Sequence, residues 1–184
     1  CLAKEADMIL SEFILLGIGG KEFSGENARK TADALNIIQP DFIRVHATGF
    51  KPESMMWQLI QDGTISLQSE EEIVREQRLF LQCLKEMNSY YVNEHIVNLL
   101  LEVRGDLLSE KSQMLSAINR FLNLPPEERL LFAIGRRFNM FFFLEDLQKP
   151  NLRSQAQLYM DEIKKKNPNM DFAFLCNYIR QSQI

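Results

Sequence analysis

The hydrophobic and polar positions at the start of the chain predict a strand, a helix and a second strand. The apolar run at residues 13–16 ends in a glycine-rich turn, which is typical of a strand buried on both faces of a parallel sheet. Apolar residues then recur at helical spacing, and we expect a helix that is capped within residues 24–26 and ends before Pro40. The β-branched segment Phe42–Ala47 predicts the second strand. Such a unit normally forms a right-handed crossover between two parallel strands.

Helical patterns dominate the remainder of the chain. Ser69 and Glu72 form a capping box, and the helix that it opens has an apolar face interrupted by Gln77. Tyr90–Val92 is a candidate third strand. Further helices are predicted over residues 53–61, from 109, from 125, over 155–166 and over 171–180. The order of elements therefore predicts an α/β fold, part of a barrel or sheet, followed by a helical tail.

Composition and charge narrow the function only slightly. Hydrophobic residues make up 46% of the chain, which is enough for a core, and the net charge of −4 implies no general attraction to nucleic acid. No apolar run approaches the roughly 20 residues that a membrane helix needs. Three widely separated cysteines, Cys1, Cys83 and Cys176, show no metal or disulfide spacing. We expect a cytoplasmic protein that has neither nucleic acid nor membrane as a partner.

The glycine turn at residues 17–20 is the first candidate site. Ligands of α/β proteins usually bind at the carboxyl ends of the strands, and three glycines in four residues allow a close approach to the backbone. The spacing does not match a dinucleotide fingerprint, and Lys21 is followed by glutamate rather than by the serine or threonine of a phosphate loop. A plain structural turn is the alternative interpretation.

The two histidines are the other candidates. His46 lies at the end of the second predicted strand, where a ligand site would lie, but a partly buried, hydrogen-bonded histidine is the favoured interpretation. His95 lies in a polar segment and is expected at the surface. No metal-ligand motif can be assembled from two distant histidines and three distant cysteines.

Arg136 and Arg137 precede a segment rich in phenylalanine at residues 138–143. Basic and aromatic side chains together are typical of surfaces on which RNA bases stack. No basic stripe accompanies them, so a core or interface role for the phenylalanines is favoured.

The chain resembles the C-terminal half of radical S-adenosylmethionine enzymes, in the bacterial branch related to the oxygen-independent coproporphyrinogen oxidases. The resemblance covers about residues 1–120. The segment LGIGGKE at residues 16–22 is similar to the family's glycine-rich stretch on its fifth strand, and DFIRV at residues 41–45 is similar to the sixth strand. His95, Asn98 and Gly105 correspond to a weaker family segment, and residues 50–54 match a family turn poorly.

The resemblance implies a fold, a cofactor and a set of site residues. Residues 1–105 would form the C-terminal part of a partial TIM-type (β/α) barrel with parallel strands, and residues 106–184 a helical C-terminal region. Relatives bind S-adenosylmethionine at a 4Fe-4S cluster held by three closely spaced cysteines, which this chain lacks. We therefore expect no cluster, no bound cofactor and no catalysis on this chain alone. The residues that would contribute to the cofactor pocket are Gly17, Ile18, Gly19, Gly20, Val45 and His46.

The start of the chain reads as the end of a helix without a cap, so we expect a C-terminal part of a longer protein. The substrate, a small molecule or a protein, cannot be read from these residues. Two other functions remain open: an interaction module, or a small α/β protein that binds a phosphorylated ligand at residues 17–20. An uncovered edge before residue 13 also predicts one of two outcomes. Either the chain's own tail docks on that edge, with residues 141–143 as part of the seal, or the chain self-associates through the edge or through the phenylalanine-rich tail.

Overall fold

A computed structural model describes residues 2–51 and 53–183. Cys1 and Pro52 lie outside the described residues, and so do the predictions that fall on them. The chain has an α/β fold with four short strands and a largely helical second half. In chain order the elements are α1 (Leu2–Glu5), β1 (Ser11–Leu16), α2 (Gly20–Ile38), β2 (Phe42–Ala47), α3 (Met55–Gln61), α4 (Glu70–Cys83), β3 (Tyr90–Val92), β4 (Gly105–Asp106), α5 (Lys111–Leu122), α6 (Pro126–Arg137), a 3₁₀ helix (Leu144–Gln148), α7 (Pro150–Lys166) and α8 (Phe172–Ser182).

The four strands form one open sheet in the order β1-β2-β3-β4. β1 and β2 are parallel, with Ser11 opposite Phe42 and Leu16 opposite Ala47, and β3 is parallel to β2. The predicted unit of strand, helix and parallel strand is confirmed. β4 runs antiparallel to β3 and was not predicted, because two residues that include a glycine carry no strand pattern.

The helices α2 and α4 cover one face of this sheet. On that face Ile14 lies opposite Val45 and Ile43 lies opposite Tyr91, and all four side chains are buried. Tyr91 contacts Phe80 of α4. The other face is not buried, since Phe13 and Leu15 of β1 remain 62% and 46% exposed. The prediction that this strand is buried on both faces is therefore wrong.

Helix α2 begins at Gly20, several residues before the predicted cap at 24–26. The amide of Gly20 donates to the carbonyl oxygen of Gly17, and the amide of Lys21 donates to Ser66. The turn itself thus satisfies the Gly20 amide and a distant loop satisfies the Lys21 amide, so the helix begins without a side-chain cap. Because no capping side chain marks this start, the sequence pattern does not predict it.

One cluster of buried hydrophobic side chains extends from Ile14 to Cys176 and includes residues from both halves of the chain. The predicted division at residues 105 and 106 falls within β4 and stays a prediction.

Gln77, which interrupts the apolar face of α4, is buried and donates to the hydroxyl of Tyr91. The Ser69 capping box is confirmed. None of the helices formed by the described residues is long and apolar enough to cross a membrane.

Candidate functional site

The face of the sheet opposite α2 and α4 is lined by aromatic, apolar and basic side chains. We call it the open face. Its members are half-buried or exposed, whereas the strand residues between them are mostly buried. The open face consists of Phe13, Leu15, Phe42, Arg44, His46, Tyr90 and Val92.

His46 lies near the carboxyl end of β2 and is held between two rings. His95, from the segment after β3, stacks on it with a centroid distance of 4.3 Å and an interplanar angle of 30°. Phe13 of β1 meets it edge to face at 5.4 Å. These contacts fix the orientation of the His46 imidazole at the side of a cavity of about 250 Å³. The structure therefore brings together two histidines that are far apart in the sequence.

Arg44 lies on the same strand, two residues before His46. Its Nε donates to the Ser11 hydroxyl at 3.0 Å, and its guanidinium lies 5.9 Å and 5.8 Å from the ring centroids of Phe13 and Phe42. Both distances are within the range of cation–π attraction. Within the described residues its two Nη atoms form no hydrogen bond. The guanidinium is thus positioned by its surroundings but keeps its terminal donors for a ligand.

The surroundings of His46 oppose a positive charge on its ring. Partial burial lowers the pKa of His46 below its ordinary value, and the neighbouring His95 and Arg44 lower it further. His46 is therefore mostly neutral near pH 7, and a bound anion would raise its pKa. The cavity has a positive character through Arg44, because Glu94 at its rim is paired with Arg104.

The glycine turn at residues 17–20 packs against the protein itself. Gly17 and Gly20 have φ values of +85° and +62°, which side chains other than glycine rarely adopt. The amide of Gly17 donates to Glu76, and the amides of Gly20 and Lys21 are also paired within the chain. The backbone conformation of the turn therefore explains why glycines occupy these positions. Few backbone amides of the turn remain to bind a phosphate.

The predicted cofactor residues are divided between two sides of the sheet. His46 lies on the open face, but the side chain of Val45 is buried on the helix-covered face. Val45 can therefore contribute only backbone atoms to a ligand on the open face. Even those are partly engaged, since the side chain of Asn98 donates to the carbonyl of Val45 at 2.7 Å.

Asn98 supports the carboxyl end of β2 from within the core. Its Oδ1 accepts from the amide of Ala47 at 2.7 Å, while its Nδ2 binds Val45. β3 ends opposite Arg44, so the Asn98 side chain supplies the hydrogen bonds that a longer strand would provide. The sequence drew attention to Asn98 through the family resemblance alone, because one asparagine in a loop carries no local signal.

A buried ion cluster was missed by sequence analysis. Glu70, at the start of α4, binds Arg137 of α6 and Arg180 of α8, and all three are at most 6% exposed. Arg180 also donates to the carbonyl oxygens of Thr48 and Gln68. The cluster therefore joins the helical tail to the segment that follows β2.

Arg136 and Arg137 do not form a basic surface. Arg136 donates to the carbonyl oxygens of Leu99, Asn98 and Phe141, and Arg137 donates to Val97. Phe141 is buried against Phe132, whereas Phe142 is 51% exposed. These guanidiniums hold the loop after β3 in place and are not available to stack on RNA bases. The core interpretation is confirmed for Phe141.

The two cysteines in the described residues belong to different helices. Cys83 is half-buried at the end of α4, and Cys176 is buried in α8. Burial raises the pKa of the Cys176 thiol to about 12, so this thiol stays protonated and unreactive. Within residues 2–51 and 53–183, no three His, Cys, Asp or Glu side chains are grouped as metal ligands.

The chain was compared with protein-family models, with curated proteins and with solved structures, and none of them matches it.

Proposed function

We propose that this chain forms the C-terminal part of a radical S-adenosylmethionine enzyme and lines part of its cofactor and substrate pocket. The observation that carries the proposal is the open face of a mostly parallel sheet whose covering helices, α2 and α4, lie on the opposite side. In a (β/α) barrel the helices lie outside and the opposite face of the strands points inward. A partial barrel would therefore present Arg44 and His46 to its interior.

The residues present fit the adenosyl part of the cofactor. Phe13 is 62% exposed and offers a ring surface beside His46, on the strands whose carboxyl ends are where α/β proteins bind ligands. Residues 17–20 would contribute backbone atoms beside them. In relatives the cofactor supplies a 5′-deoxyadenosyl radical. The role of this chain would be to orient the cofactor and to exclude water.

The residues described here do not fit the iron–sulfur cluster. Three converging thiolates are needed, whereas Cys83 and Cys176 lie in α4 and α8. We therefore assign no step of the reaction to a cluster on these residues. A cytoplasmic location is part of the proposal, since both thiols are free and a reducing compartment would keep them so.

The test uses the protein at its natural length beside the 184-residue chain. After anaerobic reconstitution with iron and sulfide, the natural-length protein should bind a cluster and release 5′-deoxyadenosine from S-adenosylmethionine. The 184-residue chain should do neither. His46→Ala in the natural-length protein should reduce 5′-deoxyadenosine release, whereas Asn151→Ala on the surface of α7 should not. A reconstituted natural-length protein that leaves S-adenosylmethionine intact would contradict the proposal.

An interaction module is the second candidate, and the exposed apolar side chains of the open face favour it. Phe13, Leu15 and Tyr90 are 62%, 46% and 42% exposed, and β1 is an edge strand of the described sheet. Unpaired edges of this kind associate with other strands. Sedimentation velocity over a range of concentrations should then show a dimer that Leu15→Lys disrupts. Leu158→Lys on α7 is the matched control, because Leu158 is also exposed.

A further inference from the structure

We infer that the cavity between Phe13, Arg44, His46 and His95 binds the carboxylate of a small, flat molecule. The inference rests on the proposed function and deepens it: this carboxylate would belong to the substrate. The volume of about 250 Å³ suits one acidic group with a small planar neighbour rather than a large ligand.

The first argument is the donor geometry of Arg44. Its guanidinium is held over Phe13 and Phe42 and through Ser11, so little side-chain freedom is lost when a ligand binds. Its Nη atoms form no hydrogen bond within the described residues. A guanidinium in this state presents two parallel donors, which match the two oxygens of a carboxylate.

The second argument is the state of the stacked histidines. Nδ1 of His95 accepts a long hydrogen bond of 3.4 Å from the amide of Val97, which leaves the proton of the neutral ring on Nε2. His95 can therefore donate while it is neutral. His46 lies 4.3 Å from it and is oriented by Phe13, so both rings have fixed positions beside Arg44.

The third argument is the balance of charge. The charged and titratable groups that face His46 are Arg44 from β2 and His95 and Glu94 from the segment after β3. Glu94 is paired with Arg104, so its charge is already compensated. Among the described residues of this cavity, Arg44 is therefore the charge without a paired counter-ion, and a single carboxylate would balance it.

The nature of the lining favours a flat acid over a phosphate group. The ring of Phe13 lines the cavity beside the guanidinium, and it suits contact with a planar group. A phosphate dianion is usually bound by several amides at a helix start, and none of the helices formed by the described residues begins at this cavity. Aromatic and unsaturated acids have this chemistry, because their carboxylate is conjugated with a planar group.

The experiment titrates the 184-residue chain with benzoate and, as an uncharged analogue of the same shape, with benzamide. Nuclear magnetic resonance of the imidazole and amide groups reports the site of binding. Benzoate should shift His46, His95 and the Arg44 side chain, and it should bind about tenfold or more tightly than benzamide. Equal binding of the two compounds, or no shift of these residues at millimolar concentrations, would overturn the inference. Tighter binding of inorganic phosphate than of benzoate would overturn the choice of a carboxylate.

Two variants identify the donor. Arg44→Gln should weaken benzoate binding by about tenfold or more and leave the weak binding of benzamide unchanged. Arg29→Gln, on the exposed side of α2, is the matched control and should bind benzoate as the unaltered chain does. The amide spectrum of each variant shows whether it is folded. A folded Arg44→Gln variant that binds benzoate normally would exclude Arg44 as the donor and overturn the inference.

The pH dependence gives an independent readout. A bound carboxylate favours the protonated form of His46, so benzoate should raise the pKa of His46 and bind more tightly at about pH 6 than at about pH 8. His46→Gln should remove this dependence. An unchanged His46 pKa in the presence of benzoate would contradict the inference. These results do not depend on radical chemistry, so benzoate binding without S-adenosylmethionine cleavage would refute the proposed function alone, and the reverse result would refute this inference alone.

Discussion

Glu70 and Arg137 form a two-point ion pair in the interior of the protein. The Nε and Nη2 atoms of Arg137 lie 2.9 Å and 2.7 Å from the two carboxylate oxygens of Glu70. Arg180 adds a third bond of 2.8 Å to the same carboxylate. One acidic side chain therefore joins α4, α6 and α8. Its negative charge offsets the positive charges of two buried guanidiniums that would otherwise repel each other.

Glu70→Gln should strongly destabilise the protein. Removing one partner of a buried ion pair leaves an uncompensated charge, and the expected loss in the free energy of unfolding is about 3 kcal/mol. Urea denaturation measures it. Glu71→Gln is the matched control: Glu71 pairs with Arg75 and Arg129 at a more exposed position, so the loss should stay below about 1 kcal/mol. Equal losses in the two variants would show that the cluster contributes no more than a surface pair.

This cluster shows what local sequence patterns cannot reveal. Arg137 and Glu70 are separated by 67 positions, and nothing near Arg137 in the sequence indicates a buried partner. The same pattern of arginines and phenylalanines is typical of an exposed basic surface. Long-range pairing decides between the two, and it depends on the complete fold.

Elements with a strong local signal were predicted well. β2 forms over Phe42–Ala47 as expected, because β-branched residues favour a strand, and the Ser69 capping box is present. The open face was not predicted. The sequence of β1 is apolar on both of its faces, and whether a second layer covers each face is not encoded in six residues.

The residues of the candidate site also differ in how well the sequence predicted their positions. His46 was placed correctly at the end of β2, since that follows from the strand alone. Its partner His95 was expected at the surface, whereas it stacks on His46. The contact arises because β3 runs parallel beside β2 and places the following segment at the same end of the sheet.

Asn98→Ala should loosen the carboxyl end of β2. The substitution removes the partners of the Ala47 amide and the Val45 carbonyl, and both groups are buried. Leaving such groups unsatisfied should lower the free energy of unfolding by about 2 kcal/mol. Hydrogen exchange at the Ala47 amide should accelerate more than exchange within α7. The control, Asn151→Ala on the surface of α7, should change stability by less than about 0.5 kcal/mol. Normal protection of Ala47 in the first variant would contradict the role of Asn98.

Gly20→Ala and Gly63→Ala separate backbone strain from crowding. Both glycines have positive φ values, +62° and +77°. A Cβ at Gly20 would lie 2.2 Å from Ile65, whereas a Cβ at Gly63 would meet nothing within 4 Å. Gly63→Ala should therefore cost about 1 kcal/mol from the backbone conformation alone. Gly20→Ala should cost at least about 1 kcal/mol more, because Ile65 and the start of α2 must move. Thermal unfolding measures both, and similar losses would show that the turn at residues 17–20 is more adaptable than its packing indicates.

Glu76→Gln should raise the free energy of unfolding, and this increase should become larger as the pH rises. Burial raises the pKa of Glu76 above its ordinary value, although Asn27 and the Gly17 amide donate to its carboxylate. In the pH range between the unfolded and folded pKa values the folded state binds more protons, so stability falls as pH rises. Glutamine stays neutral and keeps an acceptor for Asn27 and Gly17, so the variant lacks this loss. Its advantage in the free energy of unfolding should be small near about pH 4 and larger near about pH 7.

Glu72→Gln is the matched comparison for this pH dependence, because the sign is reversed. Burial alone would raise the pKa of Glu72, but hydrogen bonds from Ser69 and the pair with Lys21 lower it overall. The stability that Glu72 contributes is therefore present above its unfolded pKa and is lost as pH falls through its folded pKa. Glu72→Gln should become less stable than the unaltered chain as pH rises, while Glu76→Gln becomes more stable. Urea denaturation at several pH values measures both. Parallel curves for the two variants would show that the buried position of Glu76 does not determine its protonation.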